Sequence, residues 1–171
     1  MEGLAFKMQL CDAFDHVIDG KNRMAIPSPH RQEIPESPTG KKKLYARPII
    51  QVTANGDKRR FIELIPEPIF IALAQKESQE DSLELSMEEQ DRRRGLFAGV
   101  KRLEIDDQGR VVMPDDFLDR PEKNSDQKKY RNAVNILGRE VVVAGVGTRM
   151  EVWNAEEYYS RFDGAGKART A

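Results

Sequence analysis

The chain carries an internal repeat, and this repeat limits the folds that are open to it. The segment VIDGKNRMAIP at residues 17–27 aligns with EIDDQGRVVMP at residues 104–114, sharing an isoleucine, an aspartate, an arginine and a proline. A second pair, FIELIPEPIF at residues 61–70 and RMEVWNAEEY at residues 149–158, follows at nearly the same spacing. Two matching blocks in the same order predict a duplicated domain.

Each copy of the first block predicts two short strands around a tight turn. Apolar residues alternate with polar ones on both sides of DGKN in the first half and of DDQG in the second. Because this alternation is typical of half-buried strands, we expect a β-hairpin in each half. The last loop residue must adopt a positive φ, which Gly109 does freely and Asn22 tolerates. Asn22→Gly is therefore expected to be neutral or stabilising.

The remaining pattern predicts further strands and short helices. A proline, Pro27 or Pro114, ends each hairpin ladder because it lacks an N–H group. Strands are expected in KLYARPIIQV, RRFIELI, REVVVAGV and RMEVW. Pro66 is predicted in the first turn of a helix that buries Ile69, Ala72 and Leu73, and a shorter helix is expected at residues 156–162.

The connections divide the chain into four parts. Ser86 and Glu89 have the spacing of a capping box, which predicts a connecting helix that ends near Gly95. Residues 35–43 and 120–132 have the composition of loops. We expect a first domain at residues 13–76, a helical connector at 77–98, a second domain at 99–162 and a flexible tail at 163–171.

Composition limits the cellular compartment that we expect and the partners that the protein can bind. Among 171 residues there is a single cysteine, Cys11, so no internal disulfide is possible, and neither a signal peptide nor a membrane-spanning run is visible. A reducing cytoplasm is the expected location. The net charge is −1, so any binding to a polyanion must use a local patch of positive charge.

The sequence offers little support for catalysis. His16 and His30 are the two histidines and Cys11 is the one thiol, and their spacing provides neither a metal-ligand set nor a nucleophile with its base. No glycine-rich phosphate loop or dinucleotide fingerprint is present. We therefore expect no enzyme activity, no catalytic residue, no bound metal and no cofactor.

The repeated blocks resemble the MraZ family of bacterial transcriptional regulators. The similarity is clearest in FAGVKRLEIDDQGRVVMP and REVVVAGVGTRMEVWNAEEYYSRF, and it extends over most of residues 14–162. Its signature is an aspartate and an arginine four residues apart, with a proline four residues after the arginine, and this signature occurs twice. The chain departs from the family at Asn22, where glycine is usual, in the longer connection at residues 49–61, and in an insertion at residues 121–132.

The resemblance implies a fold, an assembly and a function. The fold would be α+β and β-rich, built from two AbrB-like swapped-hairpin modules of the SpoVT or double-psi type with short helices. The assembly would be a ring-shaped homo-oligomer of about eight copies. The function would be to bind direct repeats of double-stranded DNA in the promoter of the division and cell-wall gene cluster, which includes the protein's own gene. A nucleoid-associated location in the cytoplasm would follow.

The Asp–Arg pairs are the candidate site. Asp19 with Arg23, and Asp106 with Arg110, can form simple salt bridges across exposed turns, which contribute only about 0 to 1 kcal/mol. Each aspartate can also hold the guanidinium in a fixed direction while its fork contacts a guanine edge or a phosphate. Because the pair occurs at matching places in both halves, we favour DNA contact by both arginines.

Two further residues and one alternative function complete the prediction. Lys21 and Gln108 occupy the same position in the two turns and are candidate DNA contacts. The short basic runs at residues 41–43 and 92–94 are more typical of solvated surface. A protein-interaction module that does not bind DNA is the alternative, because a fold alone does not determine function.

Overall fold

The computed structural model describes residues 9–79, 85–118, 136–162 and 169–170. The strands are β1 (Ala13–Val17), β2 (Arg23–Ala25), β3 (Lys43–Val52), β4 (Lys58–Pro66), β5 (Lys101–Glu104), β6 (Arg110–Val112), β7 (Glu140–Gly145), β8 (Met150–Asn154) and β9 (Arg169–Thr170). The helices are α1 (Ser28–Glu33), α2 (Glu67–Gln79), α3 (Met87–Phe97) and α4 (Ala155–Phe162), with one 3₁₀ turn at Asp115–Phe117. The expectation of a β-rich α+β fold is confirmed.

Two sheets contain all of these strands. A seven-stranded sheet has the order β5-β3-β4-β8-β7-β1-β9, and a separate two-stranded ribbon pairs β2 with β6. Every pairing is antiparallel except the one between β1 and β9. Strands β1, β3 and β4 come from the half before α3, and β5, β7 and β8 occupy the matching places in the half after it. The two halves meet where β4 pairs with β8. The predicted domain ranges 13–76 and 99–162 therefore share one sheet.

The expected hairpins are wrong in one respect, because the strands that flank each turn do not pair with each other. β1 pairs with β7, β5 pairs with β3, and β2 pairs with β6, so every one of these strands finds its partner in the other half. Alternation of apolar residues specifies which side chains are buried but not which strand lies alongside. Each three-residue strand after a turn buries its apolar side chain by crossing to the other half.

The core lies between the large sheet and the ribbon. Met24 of β2 and Val111 of β6 are opposite each other in the ribbon and fully buried. They face a layer of buried aliphatic side chains from the central strands: Leu44, Ala46, Ile62, Leu64, Val141, Val143, Met150 and Val152. The ribbon thus covers a core to which both halves contribute.

Helices α2 and α4 cover the opposite face of the large sheet. Phe70 of α2 stacks on Tyr45 with ring centroids 4.0 Å apart. At α4, Trp153 stacks on Phe61 at 4.7 Å and meets Phe162 edge-on. Two apolar helix–sheet contacts, one in each half, therefore cover the face that points away from the ribbon.

Between these two contacts, the junction of the halves carries charge. Glu63 of β4 lies directly opposite Glu151 of β8. Arg47 and Arg149 approach the same carboxylate oxygen of Glu63, at 2.8 Å and 3.1 Å. Burial raises the pKa of Glu151, and the nearby charge of Glu63 adds to that increase. Two arginines thus compensate a repulsive cross-strand pair at the centre of the sheet.

Most of the predicted elements are found near their expected positions. Ser86 and Glu89 form both hydrogen bonds of the capping box, and α3 continues past Gly95. Pro66 is instead the last residue of β4, and Pro68 occupies the first turn of α2. The difference arises because Pro66 still pairs with Leu44 at the end of the ladder.

Three segments were expected to depart from the family pattern or to be flexible, and the structure describes only some of them. Residues 49–61 form a β-arm in which the β3–β4 ladder runs on to the pair of Val52 and Lys58. The expected insertion at 121–132 lies outside the described residues, as do 163–168 and 171 of the tail. Residues 169 and 170 form β9 beside β1.

Because the two halves share one core, a substitution that destabilises one half is expected to destabilise the other as well. Met24→Ala removes a fully buried side chain and is expected to cost roughly 2 to 5 kcal/mol. The single tryptophan, Trp153, lies in the other half, so its fluorescence should lose its native signal at the same urea concentration as the far-ultraviolet circular dichroism.

Val112→Ala is the matched control, because Val112 lies on the same ribbon but is 59% exposed. It is expected to change the unfolding free energy by less than about 0.5 kcal/mol. Separate transitions for the two signals in Met24→Ala would show that the halves fold independently.

Candidate nucleic-acid interface

The first turn is organised by one carboxylate. Asp19 Oδ1 accepts hydrogen bonds from the backbone N–H groups of Lys21 and Arg23, at 2.8 Å and 2.9 Å. Its second oxygen, Oδ2, accepts a hydrogen bond from Arg23 Nε at 2.7 Å. A single aspartate therefore closes the turn and fixes the direction of the arginine.

The second turn repeats this arrangement with a looser ion pair. Asp106 Oδ1 accepts hydrogen bonds from the backbone N–H groups of Gln108 and Arg110, each at 2.9 Å. Arg110 Nε lies 3.4 Å from Asp106 Oδ2. The backbone of the two turns is thus held in the same way, while the guanidinium of Arg110 is less tightly fixed than that of Arg23.

The same hydrogen bonds keep both aspartates charged. The backbone N–H of Arg23 is the main cause that lowers the pKa of Asp19 to about 2. The backbone N–H of Arg110 lowers the pKa of Asp106 in the same way. A carboxylate that accepts several N–H bonds is stabilised in its ionised form. Both turns therefore keep their ionic anchors at neutral pH.

The positive-φ expectation is confirmed at both turns, with φ 64° at Asn22 and 77° at Gly109. The Asn22 side chain also donates a hydrogen bond to Asp115 Oδ1 at 2.5 Å. This partner comes from the 3₁₀ turn of the other half, more than 90 residues away in the sequence. The family's usual glycine could not make this bond.

The ribbon carries both turns and brings the two arginines to one surface. Arg23 lies opposite Val112, and Arg110 lies opposite Ala25. All four alternate with buried residues and face away from the core. Two residues along and one strand across an antiparallel ribbon correspond to about 8 Å between the Cα atoms of the two arginines. A major groove about 12 Å wide can accommodate such a pair.

Backbone hydrogen bonds between the halves fix this arrangement. The N–H of Met113 donates to the carbonyl of Asn22 at 2.7 Å, and the N–H of Ile26 donates to the carbonyl of Gly109 at 2.9 Å. Each positive-φ residue therefore accepts a bond from the strand that continues from the other turn. The geometry of one turn depends on the fold of the other half.

The remaining predicted contacts lie at the tips of the turns. Lys21 and Gln108 are both exposed, in matching positions. Of the basic runs, Lys41 pairs with Glu104 at 2.9 Å beside the second turn, whereas Arg94 pairs with Asp91 on α3. The structure thus places positive charge from residues 41–43 near a turn, and residues 92–94 lie on the connecting helix.

Two residues that the sequence did not indicate, Asp115 and Arg31, touch the turns. Asp115 bonds to Asn22, and the guanidinium of Arg31 lies across Gly109. Each comes from the element that follows one strand of the ribbon and reaches the turn of the other half. No spacing in the sequence signals these contacts, because they depend on the exchange of strands.

Of the residues considered for catalysis or metal binding, His30 packs inside the protein. His30 is buried, its Nε2 lies 2.8 Å from the carbonyl oxygen of Cys11, and burial lowers its pKa. Within residues 9–79, 85–118, 136–162 and 169–170, no group of three histidine, cysteine, aspartate or glutamate side chains is arranged to hold a metal ion. None of the helices in these ranges combines the length and apolarity of a membrane span.

These features define a class of protein, a duplicated α+β chain that presents two carboxylate-anchored arginine turns on one shared ribbon. A family described as "MraZ protein, putative antitoxin-like" matches residues 96–165. The transcriptional regulator MraZ of Carboxydothermus hydrogenoformans is 30% identical over 158 residues, covering 91% of this chain and 87% of that protein. The chain belongs to the MraZ family.

Other relatives agree with this assignment. The transcriptional regulator MraZ of Clostridium tetani is 27% identical over 148 residues, covering 85% of this chain and 81% of that protein. The protein of the same name from Herpetosiphon aurantiacus is 26% identical over 150 residues, covering 88% and 84%. The similarity therefore includes both halves of the chain.

The two positive-φ residues are expected to respond differently to substitution. Gly109→Val places a β-branched residue at φ 77° and pushes against Arg31, so it should cost roughly 1 to 3 kcal/mol. Asn22→Gly relieves strain but removes the bond to Asp115, so the neutral or stabilising effect expected from the sequence alone should become a small loss. Urea unfolding measures both.

Gly20→Val is the control for the glycine substitution, because Gly20 lies in the first turn with open space around its Cα. It should unfold within about 0.5 kcal/mol of the parent. If Gly109→Val and Gly20→Val unfold alike, the left-handed conformation at Gly109 does not limit stability.

Proposed function

We propose that this chain is a sequence-specific DNA-binding regulator of transcription and that Arg23 and Arg110 are its base-reading residues. The observation that carries the proposal is the placement of both guanidinium groups on the outer face of one ribbon, each beside a charged aspartate. A preoriented guanidinium gives up little conformational freedom to adopt the geometry that guanine requires. The relatives named as transcriptional regulators support the same role.

The other turn residues take secondary roles in this proposal. Lys21 and Gln108 lie at the exposed tips, where a lysine contacts phosphate and a glutamine contacts either a base edge or the backbone. Asp19 and Asp106 orient the arginines, while Asn22 and Gly109 provide the turn conformation. All eight residues act on DNA through the two turns, and no catalytic step is part of the proposal.

The operator we propose is a set of direct repeats upstream of the protein's own gene, within the division and cell-wall gene cluster. Family membership supports this choice of promoter. Copies of the chain in a ring would present their turns at intervals, and repeats spaced by roughly 10 base pairs would meet them on one side of the duplex. Weak contacts at each repeat would then combine through avidity.

The central experiment removes the arginines one at a time and together. Arg23→Ala and Arg110→Ala should each weaken binding to a duplex of the upstream repeats, and the double variant should abolish specific binding. Each bidentate pair of an arginine with guanine corresponds to about 1 to 3 kcal/mol of discrimination. Fluorescence anisotropy with the upstream duplex and a scrambled duplex measures the effect, with melting temperature recorded in parallel.

Arg94→Ala is the matched control, since it removes the same charge from an exposed position on α3. It should leave discrimination between the two duplexes unchanged. Unaltered operator affinity in the double variant would contradict the proposed function and favour a protein-interaction role. Abolished binding together with a collapsed melting temperature would show that the pairs are structural.

We further propose that the chain works as a ring of about eight copies. Family membership is the support, together with the unpaired outer edge of β5 among the described strands, which can pair with another copy. Multi-angle light scattering at micromolar concentration should give a single species several times the 19.5 kDa mass of the chain. A stable monomer would exclude the ring.

A further inference from the structure

The second turn carries a positive charge that the Asp–Arg signature does not include. Arg31 of α1 is half-buried, and its side chain lies over Gly109. A Cβ at Gly109 would come within 2.6 Å of Arg31 Cζ and 3.0 Å of its Cδ. The arginine therefore occupies the space that any larger residue at this position would need, and it buries the glycine.

Among the described residues, no carboxylate forms a salt bridge with this guanidinium. Arg110 in the same turn lies beside Asp106, and Glu104 pairs with Lys41 at 2.9 Å, so both of these carboxylates are already engaged. The exposed Asp107 forms no ion pair with Arg31 within the described part of the chain. The guanidinium of Arg31 is thus a cation beside the proposed interface that no carboxylate of the described residues neutralises.

The backbone of Arg31 is linked through Lys42 to the chain beside the second turn. Lys42 Nζ donates a hydrogen bond to the backbone carbonyl of Arg31 at 2.5 Å. The carbonyl of Lys42 in turn accepts from the N–H of Ile105, next to the second turn. Because α1 belongs to the first half and the turn to the second, the strand exchange builds this surface from both halves.

The first turn has the opposite charge at the corresponding contact. There the residue that reaches across from the other half is Asp115, whose carboxylate accepts a hydrogen bond from Asn22. The residue that crosses from the other half is thus acidic at the first turn and basic at the second, although the backbones of the two turns match.

We propose that Arg31 is a DNA phosphate-binding residue that positions the second turn on the duplex. The proposal rests on the DNA-binding function proposed above and assigns different roles to two arginines of the second turn's surface. Arg110 reads a base, and Arg31 binds the phosphate beside it. The second turn thus combines base reading by Arg110 with phosphate binding by Arg31, whereas at the first turn Arg23 reads a base and Lys21 contacts phosphate.

The test compares Arg31→Ala and Arg31→Gln with the parent chain in full-length form. Both variants should weaken binding to the operator duplex and to the scrambled duplex by the same factor, so that discrimination is unchanged. The slope of log affinity against log salt concentration should fall by about 0.9 for every phosphate that the variant no longer neutralises. Arg31→Lys keeps the charge and should retain most of that slope.

Arg60→Ala is the matched control, because Arg60, like Arg31, has no salt bridge within the described residues, but it is exposed and lies on the β-arm. It should leave the salt slope unchanged. An equal drop in slope for Arg60→Ala would show a general charge effect and overturn the proposal. Because Arg31→Gln keeps a long polar side chain over Gly109, comparing its melting temperature with that of Arg31→Ala separates the effect of packing from the effect of charge.

The outcomes distinguish this inference from the function on which it rests. Loss of discrimination in Arg110→Ala together with unchanged affinity and salt slope in Arg31→Ala would retain the DNA-binding function and reject the phosphate role. Loss of discrimination in Arg31→Ala or Arg31→Gln would show that Arg31 reads a base and would overturn the phosphate role as well. Unchanged binding in every arginine variant would reject both proposals.

Discussion

The exchange of strands between the two halves is the constraint on which the rest of the structure depends. Each half adds a strand to the other half's part of the sheet, β1 beside β7 and β5 beside β3, and the β2–β6 ribbon contains one strand from each. The apolar side chains of the ribbon are buried only when both halves are present. The arginine surface therefore depends on a core that both halves build.

The exchange also decides how the turns are supported. A turn closed by its own aspartate is a local structure, but each turn here is contacted by an element from the opposite half. Asp115 bonds to Asn22 and Arg31 covers Gly109, so turns with the same backbone acquire different charges beside them. Duplication thus produced two similar turns that need not act alike.

The junction of the two halves adds an electrostatic constraint. Glu63 and Glu151 face each other where β4 meets β8, and an uncompensated pair of carboxylates there would be costly. Arg47 and Arg149 both reach Glu63, while Glu151 accepts a hydrogen bond from Trp153 Nε1 at 3.0 Å. The carboxylates are thereby satisfied without separating the strands that join the halves.

The sequence by itself determined the local features: the repeat, the strands, the capping box of α3, the positive φ at Asn22 and Gly109, and the Asp–Arg turns. These follow from periodicity and from short-range hydrogen bonds, which involve residues only a few positions apart. The tertiary structure alone decided which strands pair and which side chains reach the turns. Alternation specifies which residues are buried but not which strands pair. The contacts of Arg31 and Asp115 with the turn of the opposite half depend on that pairing, so only the structure shows them.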